Sequence, residues 1–199
     1  SINTGTLSKK HKIFKLGQKL DNNIYFIWDI LIKKKIDCFI WGSINSNFRK
    51  NKYIKLFFPD PWNYTSNVVP NDLKQLHILP KYYAKNYIET DIHKIFKYSF
   101  LFLKIFIKNK GIKFILKNFS IIFHSLFTRG LKNYILFFLF DLISLDIFKQ
   151  KINSRNSSFS YIFLNSLAHF QHNNWNDIKA EKYYFLYADK ITKSIFEIY

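Results

Sequence analysis

The chain holds 199 residues, 24.1 kDa, with 31 Lys+Arg against 13 Asp+Glu and a formal net charge of +18. An apolar fraction of 48%, with 23 Phe and 13 Tyr, can fill a core and excludes wholesale disorder. Five Gly, four Pro and one Cys exclude a collagen-like chain, an internal disulfide framework and a Cys-rich zinc module.

Residues 1–20 mix Ser, Thr, Gly and Lys without periodicity and are expected to be loop. From Asn23, Ile24, Ile27, Trp28 and Leu31 recur at helical spacing, with Asp21 or Asn22 placed to cap the helix. Residues 36–42 form a short apolar run closed by Gly42, which suits a buried strand. Residues 53–58 suggest a second strand, stopped by the rigid turn Pro59-Asp60-Pro61-Trp62. Residues 63–90 look loop-rich, with a short helix starting after Pro70. Three amphipathic helices are expected at about 91–109, 112–128 and 131–148, with Gly111 and Gly130 at the joints. A polar turn at 153–158 leads into a third strand-like run at 159–165. Helical periodicity returns through Trp175, Ile178, Tyr184, Ala188 and Ile191.

The fold class is therefore α/β, with parallel strands and a helical cap insertion. Three stretches are expected: 1–62 as part of an α/β core, 63–152 as a mostly helical cap, and 153–199 as a return to the core. The chain lacks Met and begins with Ser, which suggests an internal segment of a longer polypeptide.

Positive charge is spread along the chain as Lys, with no Arg-rich arm and no nucleic-acid module, so no specific nucleic-acid partner is expected. Lys97, Lys104, Lys108, Lys113, Lys117, Arg129, Lys132 and Asp141 interrupt every apolar run that approaches the roughly 20 residues of a spanning helix. Lys beside Phe and Leu is compatible with peripheral contact at a membrane surface.

The chemistry concentrates in residues 163–175, FLNSLAHFQHNNW. A strand-like run ends at Asn165, and His169 and His172 follow. Open α/β sheets gather ligands outside the carboxyl ends of their strands. An amide oxygen and an imidazole there could hold a divalent cation such as zinc. Elsewhere, His77, His93 and His124 lack useful neighbours and read as surface or cap residues. Trp28 and Trp41 read as core, and Cys38 as a buried, inert thiol. Ser43 follows a strand and Gly42, yet no GxSxG elbow surrounds it. Asp60 is placed to line a cleft.

The stretch LNSLAHFQH resembles the metal-binding loop of the type I phosphodiesterase/nucleotide pyrophosphatase family, in the alkaline phosphatase superfamily. There a strand ends in Asp and His follows four residues later. Asn165 stands at the Asp position and His169 at the His position. Residues 4–13, TGTLSKKHKI, resemble the family's TGxxPxxHGI stretch, with Lys12 in place of Gly and no Pro. Ile27-Trp28 and Phe39-Ile40-Trp41-Gly42-Ser43 resemble its "IW" helix and its strand ending in a Trp-Gly-Ser-like turn. The resemblance covers roughly 4–45 and 159–190 and leaves the helices at 91–148 unmatched.

The resemblance implies a metal-dependent hydrolase of phosphate or phosphodiester bonds with an alkaline-phosphatase-like core. Two divalent metal ions, zinc first, would clamp a phosphate-ester small molecule or nucleotide-like substrate. A Thr or Ser nucleophile would lie ahead of Thr4, and the remaining ligands beyond Tyr199, so the segment alone would be inactive. Asn165 and His169 would be metal ligands and His172 a supporting or substrate-contacting residue. The competing expectation is a basic, non-enzymatic protein whose amphipathic helices bind an anionic membrane or a partner.

Overall fold

The computed structural model describes residues 3–21, 23–86, 88–89, 91–109, 111–116, 119, 123, 133–152, 158–173 and 178–196. The expectations for Asn22, His124, Gly130 and Trp175, and for most of the 112–128 helix, lie outside the described residues. The chain is mixed α/β, and contacts divide it into two compact units. The first comprises 1–108 with 154–163, and the second 109–153 with 164–199.

In the first unit, β1 (Asp37–Ser43), β2 (Ile54–Pro59) and β3 (Ser158–Ile162) form a parallel sheet in the order β2-β1-β3. Central β1 is buried over nearly its whole length, which explains why its sequence runs apolar instead of alternating. Its Cys38 and Ile40 join Leu20, Ile24, Phe26, Trp28, Ile54 and Phe57 in one apolar cluster. Trp41 stacks on Phe58 with ring centroids 4.0 Å apart. Both Trp28 and Trp41 are core residues, as the apolar runs around them imply.

A short α1 (Ser8–His11) interrupts the otherwise irregular N-terminal stretch. The helix expected from Asn23 begins later, as α2 (Ile27–Lys33). Phe26 is its extended N-cap, and the Asp29 carboxylate reaches back to accept the Phe26 N–H at 2.9 Å. Neither Asp21 nor any other preceding polar residue is needed for that role. Asp29 is buried and pairs with the Arg49 guanidinium at 2.6 Å. Loss of water raises the Asp29 pKa from its ordinary value, against the pull of the Phe26 N–H and Arg49.

Residues 63–90 are less loop-rich than expected, and the helix expected after Pro70 is present and runs to Lys85. A 3₁₀ turn at Asn71–Leu73 runs directly into α3 (Lys74–Lys85), with Pro80 inside the helix. α4 (Ile92–Lys108) packs along α3, with Tyr82 and Tyr98 rings meeting edge-on at 5.2 Å.

The second unit holds α5 (Asn133–Ile152), α6 (Ser166–Asn173) and α7 (Ile178–Phe196). Both shorter helices pack on α5, and Phe138 stacks on Tyr187 at 4.1 Å. β3 is shorter than the apolar run that predicts it, ending at Ile162 instead of Asn165. Phe163 still donates its N–H to Trp41 O at 2.9 Å, so pairing with β1 extends one residue further.

Candidate functional site

The carboxyl edge of the sheet is where a parallel α/β fold collects its chemistry. Gly42, the penultimate residue of β1, has φ +74° where the register with β2 shifts, and a Cβ there would strike the Phe163 carbonyl. Ser43 and Ser46 share a hydroxyl hydrogen bond of 2.7 Å. The Asn63 amide donates to Ser43 O and to Ser46 Oγ, both at 2.8 Å. Asp60, at the end of β2, donates its N–H to Ser43 O and accepts the Trp62 N–H at 2.8 Å. These bonds tie the loops after β1 and β2 together.

α3 closes this assembly from the side. Lys81 donates to Asn63 O at 2.6 Å and to Thr65 O. Its ammonium meets two carbonyl dipoles, and desolvation lowers its pKa from 10.5 to about 8, with Lys85 adding to the effect. Asp60 pulls the other way. His77 lies one turn before Lys81, only 2% exposed, with its ring edge-on to Phe58 at 5.1 Å. It hydrogen-bonds the backbone of Asp60 and Pro59, while its Nε2 has no hydrogen-bond partner. Burial first, then Lys81, pushes the imidazole down to about 4.

The expectation that His77 is a surface or cap residue is therefore wrong. It belongs to the buried stripe Leu73, Leu76, His77, Lys81, Ala84, whose spacing is helical. The helix expected after Pro70 is present as α3, but its buried face was not read from the spacing. Asp60, expected to line a cleft, is itself buried. Ser43 is fully buried and bonded within this assembly, in keeping with the absence of a nucleophile elbow. The cluster is sealed, and its chemistry is that of a brace for the carboxyl-edge loops. Cys38 is also sealed, and desolvation pushes its thiol up to about 11.

The predicted ligand segment falls in the second unit. Asn165 is half-buried and immediately precedes α6, so His169 stands one helical turn beyond it. His172 is exposed, three residues further along the same helix. Residues at this spacing share a helix face. The His169 side chain lies outside the described residues.

Asp141 of α5 fixes the beginning of this helix, a contact no local pattern announces. Its carboxylate, 6% exposed, accepts the Ser166 N–H at 2.8 Å and is also hydrogen-bonded by the backbone of Asn165. An acidic group at this end offsets the positive end of the helix dipole and satisfies N–H groups that have no partner within the helix. Burial lifts the Asp141 pKa to about 6, although the Ser166 and Asn165 hydrogen bonds lower it.

Among the described residues, no group of three or more His, Cys, Asp or Glu side chains is placed to hold a metal ion. Comparison of the chain with family models, with curated proteins and with solved structures gives no match.

Proposed function

We propose that this chain forms part of a metal-dependent hydrolase of phosphate or phosphodiester bonds, with Asn165 and His169 as ligands of one of two divalent cations. The observation that carries the proposal is the anchoring of the α6 start by Asp141, which holds the Asn165 backbone through a buried carboxylate. A ligand-bearing turn needs such support, because a cation is held well only by donors that are already oriented. The alkaline-phosphatase-like character of the core rests on the motif order and on the parallel sheet whose last strand leads into this turn.

The donor set fits a borderline-soft cation such as zinc in part: one imidazole nitrogen and one amide oxygen, with further ligands required. When bound, the cations would polarise the phosphoryl group and neutralise its charge. Asn165 would contribute a neutral oxygen, a weaker attraction than a carboxylate offers. Asp141 would keep that oxygen's backbone in place and lower the electrostatic cost of a cation beside a helix N-terminus. His172, one turn further along, would support the metal ligands or contact the substrate.

The test is hydrolysis of a chromogenic phosphodiester by the full polypeptide that contains this chain. His169→Ala should lower kcat/KM by about 100-fold or more at saturating zinc, a loss of roughly 3 kcal/mol of transition-state stabilisation. His172→Ala should cost less. Turnover by His169→Ala equal to that of the parent would overturn the assignment.

A further inference from the structure

α4 exposes more apolar surface than its packing against α3 requires. Ile92, Phe96, Phe100, Leu103 and Ile107 are 51–70% exposed and lie four, four, three and four residues apart. At roughly 100° per residue they form one narrow row along the helix. The face packed inward is different, and includes Ile105 and Phe106. Lys97, Lys104 and Lys108 are exposed and follow a parallel line, roughly 100° around the helix from the midline of the apolar row. α4 contains no Asp or Glu. The same pattern recurs, considered by itself, in the second unit, where Ile112, Ile115, Leu116, Phe119 and Phe123 are exposed and Lys113 lies among them.

From this surface we infer that the protein docks peripherally on anionic lipid bilayers through α4. The apolar row enters the acyl boundary, and the three lysines beside it meet lipid phosphates and carboxylates. Charge selects the occupant. A chain of net charge +18 repels a second copy of itself, whereas an anionic surface attracts it. A helix of 17 residues with a straight, one-residue-wide apolar row needs no matching groove, only a fluid interface. Among the described residues no helix is long and apolar enough to cross a membrane, so the helix lies in the plane of the surface. This docking stands independently of the hydrolase proposal, since it uses none of the residues near Asn165.

Vesicle flotation of the full polypeptide tests it, with phosphatidylcholine vesicles prepared with and without phosphatidylserine. The protein should float with the anionic vesicles and about tenfold more weakly with the neutral ones at moderate salt. Phe96→Ser with Phe100→Ser should lower anionic-vesicle binding by about tenfold or more without lowering Tm, because both rings are already in water. Lys97→Gln, Lys104→Gln and Lys108→Gln together should weaken binding and flatten its salt dependence. No binding to anionic vesicles would overturn the inference. So would undiminished binding by the Phe double variant, which would mean charge adhesion alone. Concentration-dependent self-association that the double variant abolishes would instead assign the row to a second copy, and would also overturn it.

Discussion

His77 makes the first unit sensitive to acid in a way that can be worked through. Its imidazole is sealed against Phe58 and beside Lys81, and holds its proton with a pKa of about 4 instead of the ordinary 6.5. Between these values the unfolded chain binds more protons than the folded one, so stability rises with pH through the window. The contribution is fully present above 6.5 and is lost as pH falls toward 4. For a single group with these two pKa values, lowering pH from 7.5 to 5 removes about 2 kcal/mol, and the full loss below pH 4 is about 3 kcal/mol. His77→Asn keeps an N–H donor for the carbonyls at the end of β2 but does not titrate. Urea unfolding of parent and variant at pH 7.5 and pH 5 isolates the effect, because the distant groups Asp29 and Asp141 titrate alike in both proteins. The parent should lose about 2 kcal/mol more than His77→Asn over this interval. Equal losses would show that the imidazole is not held neutral, and would refute the placement of His77 in a sealed cluster.

Asp29→Ala should destabilise the first unit by about 3 kcal/mol, since it leaves the Phe26 N–H and the partly buried Arg49 guanidinium without their shared carboxylate; chemical denaturation reads the loss. Gly42→Ala should cost about 2–4 kcal/mol, combining positive φ with a clash against the Phe163 carbonyl, and should lower Tm measurably. Lys81→Met should cost about 2–4 kcal/mol by leaving Asn63 O and Thr65 O buried without their donor, an effect visible in urea unfolding at pH 7.

The parts of the fold that could be read from sequence are those with one dominant local signal. The apolar run ending in Gly42 became β1 and its turn, and the Phe- and Leu-rich segment starting near residue 91 became α4. Where two signals compete, the expectation shifts. Ile24 fits the helical spacing read from Asn23 but is buried ahead of α2, because Asp29 captures the Phe26 N–H and starts the helix there. The helix after Pro70 was expected and is α3, but polar His77 and Lys81 masked its buried face, because neither residue type marks a core position. Asn165 was expected as the last residue of a strand and stands three residues beyond the end of β3. Its anchor was not legible, because Asp141 stands 25 residues before Ser166 and in sequence merely interrupts an apolar helix. Long-range hydrogen bonds leave no periodic trace.

Zinc binding at the start of α6 is the most direct measurement of the proposed metal role. Competition against a chromogenic chelator should show zinc bound by the full polypeptide, with affinity reduced about 100-fold by His169→Ala and less by Asn165→Ala, whose oxygen is the weaker donor. Zinc held equally well after His169→Ala, or not held by the parent at all, would contradict the assignment.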